Sequence, residues 1–378
     1  MARKLKSDKL LFGATLLLLC TGIVMVYSAS AVLAMEKHND PYLYLMKQGA
    51  WVIIGLCLLP IAMRLDYRHY REPAVIWTLL AAAIGALIAV LFAQPVNGAS
   101  RWLNVGSLGV QPSELAKIAI IIFTAALLER RMNRVDDVSQ SLLPMGIVLG
   151  IIVTLILLQP DLGTAAALTM IAGVMVFTAG LSYSYLAGLF LASLPAFYLL
   201  VASQDYRWRR VTAFLDPQSD PLGAGHQLIQ SEIAVGTGGI FGKGLMGGMQ
   251  KLFYLPEPHN DFIYAVAAEE LGLVGATLIV GCFAVITWRG LRAGVRAPDR
   301  FGAFLAIGLT TMIGFQAMFN ISVVLGLLPT KGIPLPFVSA GGSSLLINMI
   351  GVGMLLNISQ HASSSHAVMT APPAMPDA

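Results

Sequence analysis

Charge is scarce in this chain. Asp, Glu, Lys and Arg make up 12% of the 378 residues, while 57% are hydrophobic and the mean hydropathy is +0.75. That balance lies far from a soluble domain and leaves a polytopic membrane protein. Cysteine is scarcer still: Cys20, Cys57 and Cys282 each lie inside an apolar run, with no C-x-x-C pair. They supply neither a disulfide framework nor a zinc site. The formal charge of +4 is small and the basic residues cluster beside apolar runs, so no nucleic-acid partner is indicated.

What the sequence has is long apolar runs. Read with a window of about 19 residues, it predicts an all-α fold of about ten transmembrane helices, near 10–33, 45–63, 73–93, 112–128, 141–158, 162–180, 183–201, 262–287, 301–328 and 334–358. The first run follows a basic stretch and ends near Ala29, Ser30 and Ala31 in the manner of a signal peptide, but it is too long for one. The fourth to seventh runs are closely spaced, so one of them is a candidate re-entrant segment. Residues 1–358 thus form a single transmembrane domain, with a large extracytoplasmic loop, 202–261, between the seventh and eighth helices. The polar 359–378 reads as a disordered cytoplasmic tail able to contact a cytoplasmic partner.

Basic residues set the orientation. With the N-terminus in the cytoplasm, one side receives Arg3, Lys4, Lys6 and Lys9, then Arg64, Arg68 and Arg71, then Arg130, Arg131 and Arg134, then Arg289, Arg292, Arg296 and Arg300. The positive-inside rule is obeyed, and the long loop faces outward. Arg207, Arg209, Arg210, Lys243 and Lys251 break the bias within that loop, which makes them candidates for a ligand. The loop is too long and too apolar for a structureless linker: 227–235 reads as a short amphipathic helix, followed by the glycine-rich 236–248. A P-loop is excluded, because Gly242-Lys243 is followed by Gly244 and the first glycine would have to stand at Thr237.

The most informative stretch is KLFYLPEPHNDFIYAVAAEE, residues 251–270. A stiff polar approach, Pro256 to Asp261, leads into a run long enough to cross a bilayer. An acid at such a junction is functional, paired or a helix cap. His259 stands two residues before Asp261, as a substrate-orienting or simple hydrogen-bonding side chain. Within the spans, Glu114 and Lys117 are one turn apart and can pair, Asp161 follows a proline near a span end, and Glu269 and Glu270 lie two turns below Asp261. Adjacent helical residues point about 100° apart, so one of these two glutamates is expected to face the interior. Glu114, Lys117, Asp161 and Glu269 are read as an intramembrane polar network that is either catalytic or locks helices together. Lys331, in an outside turn before Pro334 and Pro336, is a partner from the far end of the chain.

Several segments together resemble one family. NGASRW at 97–102, QPSELAK at 111–117, QPDLGT at 159–164, residues 256–270, and LPTKG at 328–332 with GGSS at 341–344 are similar to the SEDS proteins (shape, elongation, division and sporulation), in register from the first span to the last. QKLFYLP at 250–256 and LPTK at 328–331 lie closer to the division branch than to the elongation branch. Pro258 and Asn260 replace a commoner small residue and threonine, and Ala340 stands where an aromatic is usual, which bears on hydrogen bonding around His259. The resemblance implies a peptidoglycan glycosyltransferase that polymerises lipid II in septal wall synthesis, releases undecaprenyl diphosphate, and works with a monofunctional class B penicillin-binding transpeptidase and other divisome proteins. It implies a bacterial inner membrane protein with both termini cytoplasmic and a periplasmic site at the septum, where Asp261 is the catalytic residue.

Glycan polymerisation needs one group to take a proton from an acceptor hydroxyl while a leaving diphosphate is stabilised. Asp261 is the general-base candidate. Arg207, Arg210 and Lys243, with Arg101, His259 and Lys331, are the substrate-binding candidates, alongside membrane lipid headgroups for the loop arginines. A divalent cation such as Mg2+ is a candidate to share the diphosphate. No metal site is read from the histidines. Two other classes remain open: a lipid II flippase, which would need charges along a midplane path, and a non-catalytic divisome scaffold, which would tolerate change at Asp261.

Overall fold

The computed structural model describes residues 7–94, 100–105, 108–131 and 142–369. A helix stands at each of the ten expected places: α1 (Lys9–His38), α2 (Leu43–Arg64), α3 (Pro73–Leu91), α4 (Pro112–Arg131), α5 (Leu143–Leu158), α6 (Leu162–Thr178), α7 (Tyr183–Ala202), then, after two loop helices α8 (Asp205–Leu215) and α9 (His226–Thr237), α10 (Ile263–Val295), α11 (Arg300–Val324) and α12 (Gly342–Met369). Among the described residues seven of these, α1, α2, α3, α7, α10, α11 and α12, are long and apolar enough to cross a membrane. The chain is a polytopic membrane protein. Helices α5 and α6 are apolar but hold only 16 and 17 residues, about 25 Å of helix at 1.5 Å per residue. They are separate helices that pack on each other.

The core sits where the helices least able to meet lipid come together. Nearly every residue of α4 between Pro112 and Leu128 is buried, and it packs on α3, α5, α6, α11 and α12. Its Glu114 and Lys117 pair at 2.8 Å as their spacing predicts, with the lysine side chain 1% exposed. Helices α2 and α12 pack together, as do α10 with α1 and α11. Helix α7 stands apart, with only 6% of its apolar window buried.

Three features depart from expectation. The last span begins at Gly342 rather than 334, because Pro334 and Pro336 lack backbone donors and the 330–340 segment folds over the bundle. Helix α12 then continues past Ser359 to Met369, so the expected disordered tail is helical over 359–369. Ala362 is buried there and Ser359 donates back to the Leu356 carbonyl; 370–378 lie outside the described residues. Within 97–111, a short antiparallel hairpin of β1 (Leu103–Val105) and β2 (Leu108–Val110) leads into α4, while Asn97, Gly98 and Ala99 lie outside the described residues.

Helix α10 is broken at Gly272, whose φ of 67° and ψ of −167° suit glycine. The loop preceding the helix repairs the break. Lys243 and Gly244 N–H donate to the carbonyls of Glu269 and Glu270, while the N–H groups of Leu273 and Val274 donate to Gly239 and Ile240.

Candidate active site

The polar approach before α10 is fixed carbonyl by carbonyl. Ala340 N–H donates to the His259 carbonyl at 3.0 Å, Ser339 Oγ to that of Asn260 at 2.6 Å, and Asn320 Nδ2 to that of Asp261 at 2.7 Å. Asn320, on α11, also donates to the Ile333 carbonyl at 2.8 Å, so α11 and the 330–340 segment hold residues 259–261 from both sides. The Asp261 carboxylate lies against Gly332, where any Cβ would collide with its Oδ2.

Three cations from three elements act on this half-buried carboxylate through their charge. Arg210 of α8 stacks 4.5 Å over the Tyr206 ring and donates to the Thr330 carbonyl at 3.0 Å. Lys331 Nζ pairs with Asp161 Oδ1 at 3.3 Å. Arg101 is braced by the carbonyls of Gln159 and Pro160, at 3.0 and 2.6 Å. Burial first, and the nearby Glu257 second, push the Asp261 carboxyl up to about 6, against the lowering pull of Arg210, Lys331 and Arg101. Burial likewise holds Lys331 below the usual lysine value. Burial would raise Asp161, but Lys331, Arg101 and two hydrogen bonds from Thr164 outweigh it and keep this carboxyl below its usual range.

The remaining sequence candidates divide. His259 is 4% exposed and turns toward α2, its ring 4.6 Å from that of Tyr44 and its Nε2 3.9 Å from Glu257. Burial holds its pKa below the ordinary histidine value, so it is neutral at pH 7. Arg207 donates to the Leu200 carbonyl, and Lys243 pairs with Glu269 at 2.7 Å. Neither is among the charges acting on Asp261. The expected polar network resolves into separate groups: Glu114 with Lys117, Asp161 in the Asp261 cluster, and Glu269 with Lys243.

Both glutamates of α10 face inward, contrary to the one-sided expectation. Lys251 Nζ pairs with Glu270 at 2.6 Å and donates to Ser28 Oγ on α1, while Ser28 donates to Glu270 in turn. Backbone N–H groups of Met246, Met249 and Gln250 supply further donors to the two carboxylates. The 243–251 loop wraps the helix and meets two directions at once, which helical geometry alone could not anticipate. Lys251, read from the sequence as a ligand candidate because it breaks the positive-inside bias, is paired within the protein instead, and its partner Ser28 went unassigned by the sequence. Among the described residues no three His, Cys, Asp or Glu side chains gather as a metal cage.

A family model described as cell cycle protein, covering FtsW, RodA and SpoVE, matches residues 8–364. A probable peptidoglycan glycosyltransferase FtsW of Geobacter sulfurreducens is 44% identical over 345 residues, 90% of this chain and 92% of that protein. Stage V sporulation protein E of Bacillus subtilis is 43% identical over 366 residues, 95% of this chain and 99% of that one. A chain of a peptidoglycan synthase complex, solved to explain the coordination of polymerization and crosslinking, superposes with a TM-score of 0.77 at 32% identity, covering 95% of this chain and 99% of its own. Agreement in sequence along nearly the whole length, and in fold, makes this chain a member of the FtsW, RodA and SpoVE family of cell cycle proteins.

Proposed function

We infer that this chain is a peptidoglycan glycosyltransferase that polymerises lipid II into glycan strands during septal wall synthesis. The observation that carries the reading is a half-buried carboxylate fixed through three consecutive carbonyls in the field of Arg210, Lys331 and Arg101, which burial pushes up to about 6. Such a group is ionised at neutral pH yet more basic than an ordinary carboxylate, which suits a general base. In the proposed step Asp261 takes the proton of the acceptor sugar's 4-hydroxyl as that oxygen bonds to the donor's anomeric carbon. The bond from that carbon to the diphosphate oxygen breaks, and its electron pair leaves with undecaprenyl diphosphate. The three cations meet the charge that develops there. A diphosphate needs no strong acid to depart, so one carboxylate suffices, unlike a hydrolase pair.

A divalent cation fits this scheme as a companion of the diphosphate, since Mg2+ commonly keeps its waters and takes only one or two carboxylates; Asp261 would be the carboxylate to hold it. The positive-inside pattern supports a periplasmic site and cytoplasmic termini in the inner membrane. A class B transpeptidase is the proposed partner, on the strength of the related synthase complex. A flippase would need essential charges along a midplane path, whereas the polymerase reading needs one essential carboxylate, Asp261, at the rim of the bundle. The test is Asp261→Asn, purified with its transpeptidase and supplied with lipid II. Polymer should fall by on the order of a hundred- to ten-thousand-fold with chromatographic profile and melting unchanged, and full activity would refute the assignment.

A further inference from the structure

Beside Arg210 and Thr330, the 202–261 loop borders a second space. A cavity of about 580 Å³ lies between α8, the turn at 222–224 and the start of α9. Arg210 is the shared wall: its guanidinium lies over Tyr206, bonds the carbonyl of Thr330, and acts on Asp261. Facing the cavity are also Arg209, His226 and Asp205. The side chains of all three lack a hydrogen bond or ion pair among the described residues.

We propose that this cavity receives the stem peptide of the lipid-linked substrate, with a peptide carboxylate on Arg209 and a peptide amino group at Asp205. The assignment rests on the polymerase reading and extends it to the part of the substrate that does not react. Three observations select a peptide over a second diphosphate. The volume is that of a pocket for a small organic molecule, larger than a diphosphate fills. The lining is of mixed sign, and Asp205 repels a bare dianion while suiting a chain that carries both amino and carboxylate groups. The position is one residue from Lys331 through Thr330 and shares the Arg210 wall with the Asp261 cluster, so a substituent hanging from a sugar at Asp261 has only that wall to pass. Binding energy gathered away from the reacting bond can then hold the sugar in register.

The experiment compares full lipid II with a lipid-linked disaccharide lacking the peptide, using protein purified with its transpeptidase, and separately measures binding of a fluorescent soluble stem pentapeptide by anisotropy. For Arg209→Glu, with unchanged melting and chromatographic profile, KM for full lipid II should rise about tenfold or more with kcat little altered. The advantage of full over peptide-free substrate should shrink, and the pentapeptide should bind the wild type but not the variant. Arg209→Lys should restore part of the affinity. If Arg209→Glu does not fold, His226→Ala is read in the same two assays with the same expectation. Equal losses on both substrates, or a peptide that fails to bind the wild type or binds both proteins alike, would overturn the proposal. A wild type that binds the peptide but polymerises neither substrate would instead remove the polymerase reading and leave the pocket standing.

Discussion

Lowering the pH should switch this enzyme off in a range where an ordinary carboxylate would not respond. With Asp261 at about 6, about nine in ten of the carboxylates are ionised at pH 7 and about one in ten at pH 5, so kcat/KM should fall about tenfold across that interval if the ionised form is the base. An unperturbed aspartate, near 3.9, would lose less than about a tenth. The sign is that of a base: activity rises with pH through 6 and levels off above about 7. Two substitutions should move this limb in opposite directions. Lys331→Met removes a cation that pulls the Asp261 pKa down, and Glu257→Gln removes an anion that pushes it up. The first should shift the limb upward and the second downward, each by on the order of one unit, whatever each does to the plateau. The assay is the initial rate of lipid II polymerisation at substrate well below KM, from pH 5 to 8, with the transpeptidase present. A rate that stays flat down to pH 5, or two limbs that move the same way, would refute Asp261 as the base.

Lys251→Met should lower the melting temperature strongly, since breaking a buried pair typically costs about 3–5 kcal/mol, while Lys251→Met with Glu270→Met should recover much of it; an unchanged melt for the single variant would contradict the buried pairing. Gly332→Ala should cut kcat by on the order of a hundredfold with the fold kept, because its methyl displaces the Asp261 carboxylate; wild-type kcat would show that the carboxylate works from another position. In spheroplasts a cysteine at Ser219 should react with an impermeant maleimide, and one at Ala297 only after permeabilisation. The reverse pattern would invert the topology.

The fold was legible because a membrane imposes a strong pattern: every long apolar run became a helix, and the pair of Glu114 and Lys117 followed from spacing alone. Asp261 was legible as an acid at a helix start. Less visible was everything decided by contacts distant in sequence. Helix α8, with one aspartate followed by three arginines, was read only as part of the outward loop, and its bond from Arg210 reaches across the molecule to Thr330. Lys243 looked free for a diphosphate because its partner, Glu269, lies 26 residues on, in a helix it meets only after the loop turns back. Glu270 found a partner in α1, through Ser28 and 242 residues of separation. Local periodicity carries no record of such meetings.

The break at Gly272 has a bearing on how the protein is assembled. Backbone groups left open inside a bilayer are strongly unfavourable, and here the donors and acceptors that close the gap come from residues 239–244. The short first piece of α10, which begins just after Asp261, is therefore complete only once the preceding loop has docked. Insertion of the hydrophobic segments alone yields a chain without an organised centre. A copy halted midway through biogenesis would sit in the membrane inert, and catalytic competence would arrive last, as the signature of a finished molecule.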